Sequence, residues 1–395
     1  GPRTDLAVPL PADITPHTTP TTAAPAPRHV LLTGATGFLG AFLLRELLTR
    51  TDATVHCLVR GPAQRLPEAL RRYGVWRPGL AHRVVVHTGD LTAPRLGLDP
   101  ATYDELARTV DVVHHCGAEV NLARDHDRLK AANTVATAEI LRLAATHRTV
   151  PVHHVSTVGV LSGTPPTGAF RAEDPLPAPT GLRHGYAQSK WAAEHLIGQA
   201  RARGLPVTVH RPTRLTGDSA TGVCQDADYL WLLLQACARL GLAPDASLGL
   251  AFDLVPVDRA AAAIVALSLD PGAVGRTFHI AAERRLTLTT AVARLRDHGH
   301  RIVEVPPARW LDALRSTPTG PALLAVLTDA SGAVDSEGAH PIDAAGTRAR
   351  LDGTGIELAG DGAALFDACV RQFARTGFLP TPPGGAELRE FPYDY

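Results

Sequence analysis

Thr33-Gly34-Ala35-Thr36-Gly37-Phe38-Leu39-Gly40 decides the fold. The apolar run Val30-Leu31-Leu32 feeds into it, and Phe38 to Leu48 leaves it with helical spacing. That is strand, glycine turn, helix. Gly34 permits a tight turn, Gly37 lets backbone approach a diphosphate, and Gly40 lets the helix pack close on the strand. The amides of Thr36, Gly37, Phe38 and Leu39 then stand at a helix N-terminus, with the macrodipole behind them. The spacing is G-x-x-G-x-x-G, one residue longer than the common dinucleotide fingerprint. It is the flanking strand and helix that favour a nucleotide site over a plain strand–helix turn.

Outward from this turn, apolar strands alternate with amphipathic helices. The strand runs are Val30–Thr33, Thr54–Val59, Val84–His87, Val110–His114, Val152–Val155 and Val207–His210. Helices are expected at Phe38–Thr49, Leu129–Thr146 and Ala187–Arg203. The alternation predicts an α/β fold with a doubly wound parallel sheet, its ligands at the carboxyl ends of the strands. Beyond Leu215 the regularity fades. Helices are expected at Asp228–Leu240, Arg259–Leu269 and Ala364–Thr376, with a return to the sheet at Phe252–Asp258 and Arg276–Ile280. A helix, a strand (Arg301–Val305) and a second helix fill Leu286–Arg315, and Pro318–Gly362 reads as loop. Residues 1–27, rich in Pro, Thr and Ala, read as a flexible linker. The expected division is a cofactor domain at 28–215 with 253–281 returning to it, and a smaller, mainly helical substrate lobe at 216–252 and 282–395.

The strand ends carry the candidate chemistry. Cys57-Leu58-Val59-Arg60 ends in Arg where an acidic residue would hold ribose hydroxyls. Arg60 instead suits a 2′-phosphate, and Arg65 is close enough to clamp its other side. This favours NADPH over NADH; a pair of solvated surface arginines is the competing reading. Asp90, in Gly89-Asp90-Leu91, suits either an adenine amino group or a turn cap. Gly117-Ala118 leaves room for cofactor against backbone. His114 and His115 have no third ligand at a helical or strand offset and read as structural, so no metal site is expected.

The strongest catalytic signal is Tyr186-Ala187-Gln188-Ser189-Lys190. The chain has six Tyr and, among 39 basic residues, two Lys. A Tyr-to-Lys step of four arises by chance about 3 times in 100. The step puts both on one helix face. A phenol has a pKa of about 10; a neighbouring ammonium is expected to draw it toward neutrality and make it a proton donor or acceptor. Lys190 can also hold ribose hydroxyls. Thr157, in Val155-Ser156-Thr157 at the fifth strand end, offers a hydroxyl beside the Tyr.

The bulk numbers agree with a globular protein. Hydrophobic content is 45% and formal net charge is zero, which lends no support to a nucleic-acid or anionic-membrane partner. No apolar run reaches membrane-spanning length. Five cysteines without C-x-x-C spacing fit a reducing, cytoplasmic compartment. The chain has no Met and starts Gly1-Pro2, which reads as a protease scar on a piece of a longer protein.

With Thr33–Gly40, Thr157, Tyr186 and Lys190 in view, the chain resembles the extended short-chain dehydrogenase/reductases. More narrowly it is similar to the thioester reductase domains that terminate nonribosomal peptide synthetases, polyketide synthases and carboxylic acid reductases. Gly117-Ala118-Glu119-Val120-Asn121, Arg211-Pro212-Thr213 and Asp253-Leu254-Val255-Pro256-Val257-Asp258 add to the likeness, which covers about residues 28–270. Departures are a short segment between Arg60 and Arg65, Cys116 in place of a polar residue and Thr213 in place of Gly. The resemblance implies that an upstream carrier protein presents an acyl thioester on phosphopantetheine and that NADPH reduces it to an aldehyde, or further to the alcohol. It implies catalytic roles for Thr157, Tyr186 and Lys190, cofactor contacts from Pro212 and Thr213, and a monomer. A nucleotide-sugar epimerase or dehydratase is opposed by Arg60. A non-redox cyclase relative is opposed by the intact Tyr186 and Lys190.

Overall fold

The computed structural model describes residues 5–17, 26–121, 124–163, 168–225, 228–282, 285–327, 341–358 and 362–382. In chain order its elements begin β1 (His29–Thr33), α1 (Phe38–Arg50), β2 (Thr54–Val59), α2 (Arg65–Arg72), β3 (Val84–Thr88), α3 (Pro100–Thr109) and β4 (Val112–His115). Next come α4 (His126–Lys130), α5 (Ala136–Ala145), β5 (Val152–Val155), α6 (Gly185–Ala202), β6 (Val207–Pro212), β7 (Leu215–Thr216), α7 (Tyr229–Leu240) and β8 (Leu242–Pro244). Then follow β9 (Ala251–Asp253), β10 (Val255–Pro256), α8 (Val257–Ser268), β11 (Thr277–Ile280), β12 (Arg285–Thr287), α9 (Leu288–Asp297) and β13 (Val303–Val305). The last are α10 (Pro307–Arg315), α11 (Gly320–Leu327), α12 (Ala345–Leu351) and α13 (Gly362–Arg375).

Seven strands form one parallel sheet in the order β11-β6-β5-β4-β1-β2-β3. The strand order reverses between β1 and β4, which opens a crevice at their carboxyl ends. Thr33 pairs with Leu58 on one side and His115 on the other, so these ends are level. α1 is buried along most of its length because it lies between the sheet and α8. This explains its mainly apolar sequence: a helix covered on most sides has little polar face to display, and its exposed residues, Thr49 and Arg50, lie at its end.

Two units divide the chain. The first takes Gly1–Thr216, Asp253–Arg284 and Glu337–Gly360 and contains the sheet. The second takes Gly217–Phe252, Arg285–Ser336 and Asp361–Tyr395. It is mainly helical, with short β8–β13 and β9–β12 pairs. Its core includes Trp231, whose ring lies 5.2 Å from Phe366 and 4.8 Å from Phe373.

Three expectations change. Residues 5–17 are a docked strap rather than part of a flexible linker: Leu6, Leu10 and Ile14 are buried, and backbone groups of the strap bond to Gln199 and Arg203. Residues 341–358 belong with the sheet, not with the lobe of 282–395; Thr347 Oγ1 donates to His279 O (2.6 Å) and Asp343 N–H to Phe170 O (2.9 Å). The expected helix Leu129–Thr146 is broken by a π turn at Ala131–Val135. The alternation of strands and helices sets no bounds for a helix between β2 and β3 or between β3 and β4, where α2 and α3 stand. Part of the 1–27 and 282–395 segments lies outside the described residues.

Candidate active site

The glycine turn forms a cradle between β1 and β4. Gly34 has φ +80°, and a Cβ there would lie 2.6 Å from the Gly117 nitrogen. At Gly40 a Cβ would overlap the Gly34 carbonyl. Buried Thr33 ties the two loops together: its Oγ1 accepts from Gly117 N–H (3.0 Å) and lies 2.8 Å from His115 Nδ1. Gly37 is the N-cap of α1, which has neither a side-chain cap nor an acid in its first turn. The amides beginning α1 are therefore presented outward, as an anion needs. The first turn holds Phe38, Leu39 and Gly40, preceded by Thr36. This cradle fits the diphosphate of a dinucleotide.

At the end of β2, Arg60 and Arg65 are exposed, and Arg65 Nη1 reaches back to the Arg60 carbonyl at 2.5 Å. The short segment between them therefore still brings Arg65 to the strand end. After β3, Asp90 Oδ1 accepts from both N–H (2.8 Å) and O–H (2.7 Å) of Thr92. Those bonds, with help from Arg60, hold its carboxyl below the usual range. Turn capping thus occupies one oxygen of Asp90. The Leu91 side chain closes over Gly117, and Ala118 follows half-buried. Beyond β6, Thr213 N–H donates to Ile280 O (2.9 Å), which fixes Pro212 and Thr213 against β11.

Thr157 follows β5 and caps a 3-10 turn, Val158–Leu161, by accepting from Gly159 N–H at 3.1 Å. Its own hydroxyl proton is then available to an acceptor outside the turn. Tyr186 stands in the first turn of α6, and Lys190 one turn on. Lys190 is 2% exposed. Its Nζ donates to Val155 O (2.6 Å) and to His154 Nε2 (3.0 Å), so His154 carries its proton on Nδ1. Burial pushes the ammonium down to about 8.

Burial also raises the Tyr186 phenol above its ordinary value, with the neighbouring Cys116 adding to the shift. The expectation of a phenol drawn toward neutrality is therefore overturned. Desolvation is the main cause, and Lys190 is itself desolvated and committed to Val155 and His154. Cys116, pushed up by burial to about 12, remains a thiol. His114 and His115 are buried in β4, His114 stacked on His153 of β5 at 5.1 Å and His115 tilted against His154 at 5.2 Å; burial holds them at about 4 and about 3, so both are neutral.

Several supports were not legible. Asn133, in the π turn, accepts from Glu119 N–H (2.7 Å) and donates to Glu119 O (3.0 Å) and Ser189 Oγ (2.9 Å). It clamps the loop after β4 to α6. Ser156 Oγ donates to Glu194 Oε1 (2.5 Å), and Glu194 pairs with Arg211 (2.6 Å) deep beneath Thr157. These partners lie far apart in sequence with no periodic signal. Only the π turn, a common mark of functional positions, sets Asn133 apart.

The family described as male sterility protein, an NAD-binding family, matches residues 32–264. A linear gramicidin synthase from Brevibacillus parabrevis is 43% identical over 292 residues, 72% of this chain and 6% of that protein. Isonitrile lipopeptide synthase of Streptomyces coeruleorubidus is 40% identical over 400 residues, 95% of this chain and 26% of that one. This chain thus spans a minor part of either relative. The terminal R domain from the myxalamid PKS-NRPS biosynthetic pathway superposes with a TM-score of 0.89 at 38% identity, covering 96% of this chain and 98% of that domain.

Proposed function

The chain belongs to the NAD-binding family described as male sterility protein, and on that ground we propose that it is a reductase that releases a carrier-bound acyl or peptidyl thioester as an aldehyde. The observation that carries the reading is one arrangement: a glycine cradle at an uncapped helix start, with Thr157 after β5 and with Tyr186 and Lys190 on α6, where Lys190 bonds to the Val155 carbonyl of β5. The long synthases among its relatives, and the R domain it resembles over nearly its whole length, support the same reading.

A bound nicotinamide cofactor supplies the hydride for the thioester carbonyl. The α1 amides with Gly34, Gly37 and Gly40 would hold its diphosphate, and Gly117, Ala118, Asp90 and Leu91 would line its nucleoside. Lys190 binds ribose hydroxyls through the N–H left after its bonds to Val155 and His154. Thr157 and Tyr186 donate hydrogen bonds to the developing oxyanion, and such donors are worth about 3 kcal/mol each. Tyr186 then gives up its proton. With its pKa raised, the group is protonated across neutral pH and enters the step carrying the proton it gives up. Collapse of the hemithioacetal leaves thiol and aldehyde, and a second hydride would give the alcohol. The partner is an upstream carrier protein with a phosphopantetheine arm.

The test is NADPH consumption with an acyl-pantetheine thioester, with products identified by mass. Aldehyde or alcohol formation supports the reading. NADPH binding without oxidation, with a cyclised product, would favour the non-redox relative.

A preference for NADPH is inferred because Arg60 follows β2 and Arg65 reaches back to its carbonyl, which leaves two exposed arginines at one strand end. Replacing both by Ala is expected to weaken NADPH binding about 10- to 100-fold, the worth of one or two charge-assisted bonds, and to leave NADH binding unchanged. Titration of both cofactors by fluorescence checks this. An unaltered NADPH-to-NADH ratio would mark the arginines as ordinary surface residues.

A further inference from the structure

The strap of residues 5–17 runs along α6, the helix that carries Tyr186 and Lys190. His17 N–H donates to Thr149 Oγ1 at 2.9 Å. Arg203, the C-cap of α6, donates Nη1 to Pro11 O (2.6 Å) and Ile14 O (2.8 Å), and Nη2 to Leu10 O (2.9 Å). One turn earlier, Gln199 accepts from Leu10 N–H (2.9 Å) and donates to Val8 O (2.9 Å). Leu6 is then buried, 1% exposed, at the other end of the helix.

The strap enters two separate apolar clusters. Leu10 and Ile14 join the large one, with Leu141, Leu196 and Ile197. Leu6 joins a smaller one made of Val160, Leu161, Leu182, Ala187, Trp191 and Ala192. Val160 and Leu161 belong to the 3-10 turn that Thr157 caps, and Ala187 follows Tyr186. Two backbone bonds of that turn, Val160 N–H to Thr157 O and Ser162 N–H to Gly159 O, are long, 3.4 and 3.3 Å, beside side-chain bonds from Gly159 N–H to Thr157 Oγ1 (3.1 Å) and from Ser162 Oγ to Gly159 O (2.8 Å). A short 3-10 turn with such bonds depends on tertiary packing for its position.

We infer that Leu6 is a positioning residue: sharing one apolar cluster with the 3-10 turn and the start of α6, it fixes Thr157 relative to Tyr186. The inference rests on the reductase reading for its consequence, since two oxyanion donors work only at fixed spacing, and a 1 Å misplacement can cost about 100-fold.

The experiment compares Leu6→Ala with Leu10→Ala, an equally buried strap residue in the other cluster. Three quantities are read: kcat, NADPH affinity, and amide hydrogen exchange at Val158–Leu161 and Gly185–Ala187. Leu6→Ala is expected to lower kcat about 10-fold or more with NADPH affinity kept, and to speed exchange in both turns. Leu6→Met restores kcat. Leu10→Ala lowers the melting temperature comparably but leaves kcat and that exchange unchanged. Equal effects of the two substitutions on kcat, or unchanged exchange at the turn in Leu6→Ala, would overturn the inference. If the wild type reduces no thioester, the reductase reading fails while the exchange comparison still decides the positioning role.

Discussion

Replacing Tyr186 by Phe is expected to lower kcat for thioester reduction by about 100-fold or more while NADPH binding is retained. The substitution deletes one hydroxyl from the first turn of α6. That hydroxyl is proposed to donate to the oxyanion and then to transfer its proton, and general acid catalysis of this kind is worth about 10²–10⁴-fold. Burial of the ring is unchanged, so the melting temperature should shift little. Single-turnover reduction of an acyl-pantetheine thioester, with NADPH affinity measured separately, gives the answer. Equal rates for the two proteins would remove Tyr186 from the mechanism and leave Thr157 as the candidate donor.

The same site sets a pH dependence. Lys190 titrates at about 8 because it is desolvated. The ammonium form, which can donate three bonds, prevails below that value and is lost as pH rises through it. The rate is therefore expected to fall on the alkaline side of about pH 8, with weakened cofactor binding. Tyr186, raised above its ordinary value, does not produce that limb. A rate that held constant well above pH 8 would mean that the charge on Lys190 is dispensable.

How far the sequence was legible follows from the range of each interaction. The glycine turn and its flanking strand and helix are local, and Gly34, Gly37 and Gly40 stand as the spacing implied. The Tyr186–Lys190 step is one helical turn and equally local. What failed depended on tertiary packing. The strap looked like linker because Pro, Thr and Ala give no period, yet three apolar residues and the carbonyls between them find α6. Residues 341–358 read as loop, yet His279 and Thr347 hold them to β11. The direction of the Tyr186 shift depends on desolvation, which the four-residue step to Lys190 does not disclose.

Breaking the buried pair beneath Thr157 is expected to destabilise the sheet unit strongly. The Glu194 and Arg211 side chains are 4% and 3% exposed and join at 2.6 Å. Burial alone would raise the Glu194 pKa; Arg211 and the Ser156 hydroxyl overcome it, and the carboxyl is held below its usual range. Replacing Arg211 by Met leaves that carboxylate buried without its cation, at a cost of about 3–5 kcal/mol. Replacing both, Glu194→Leu with Arg211→Met, removes the charges together and should recover much of the loss, as hydrophobic isosteres of buried pairs do. The pH dependence has a definite sign. A carboxylate with a lowered folded pKa stabilises the protein above its unfolded pKa, and the contribution is lost as pH falls through the folded value. Wild type should therefore lose this stabilisation in acid, whereas the double variant should not. Thermal melting of the three proteins at neutral and acid pH measures both effects. Because Ser156 bonds to Glu194 and precedes Thr157, the double variant separates two roles: recovered melting temperature with depressed kcat would mean that the pair positions Thr157 as well as holding the fold.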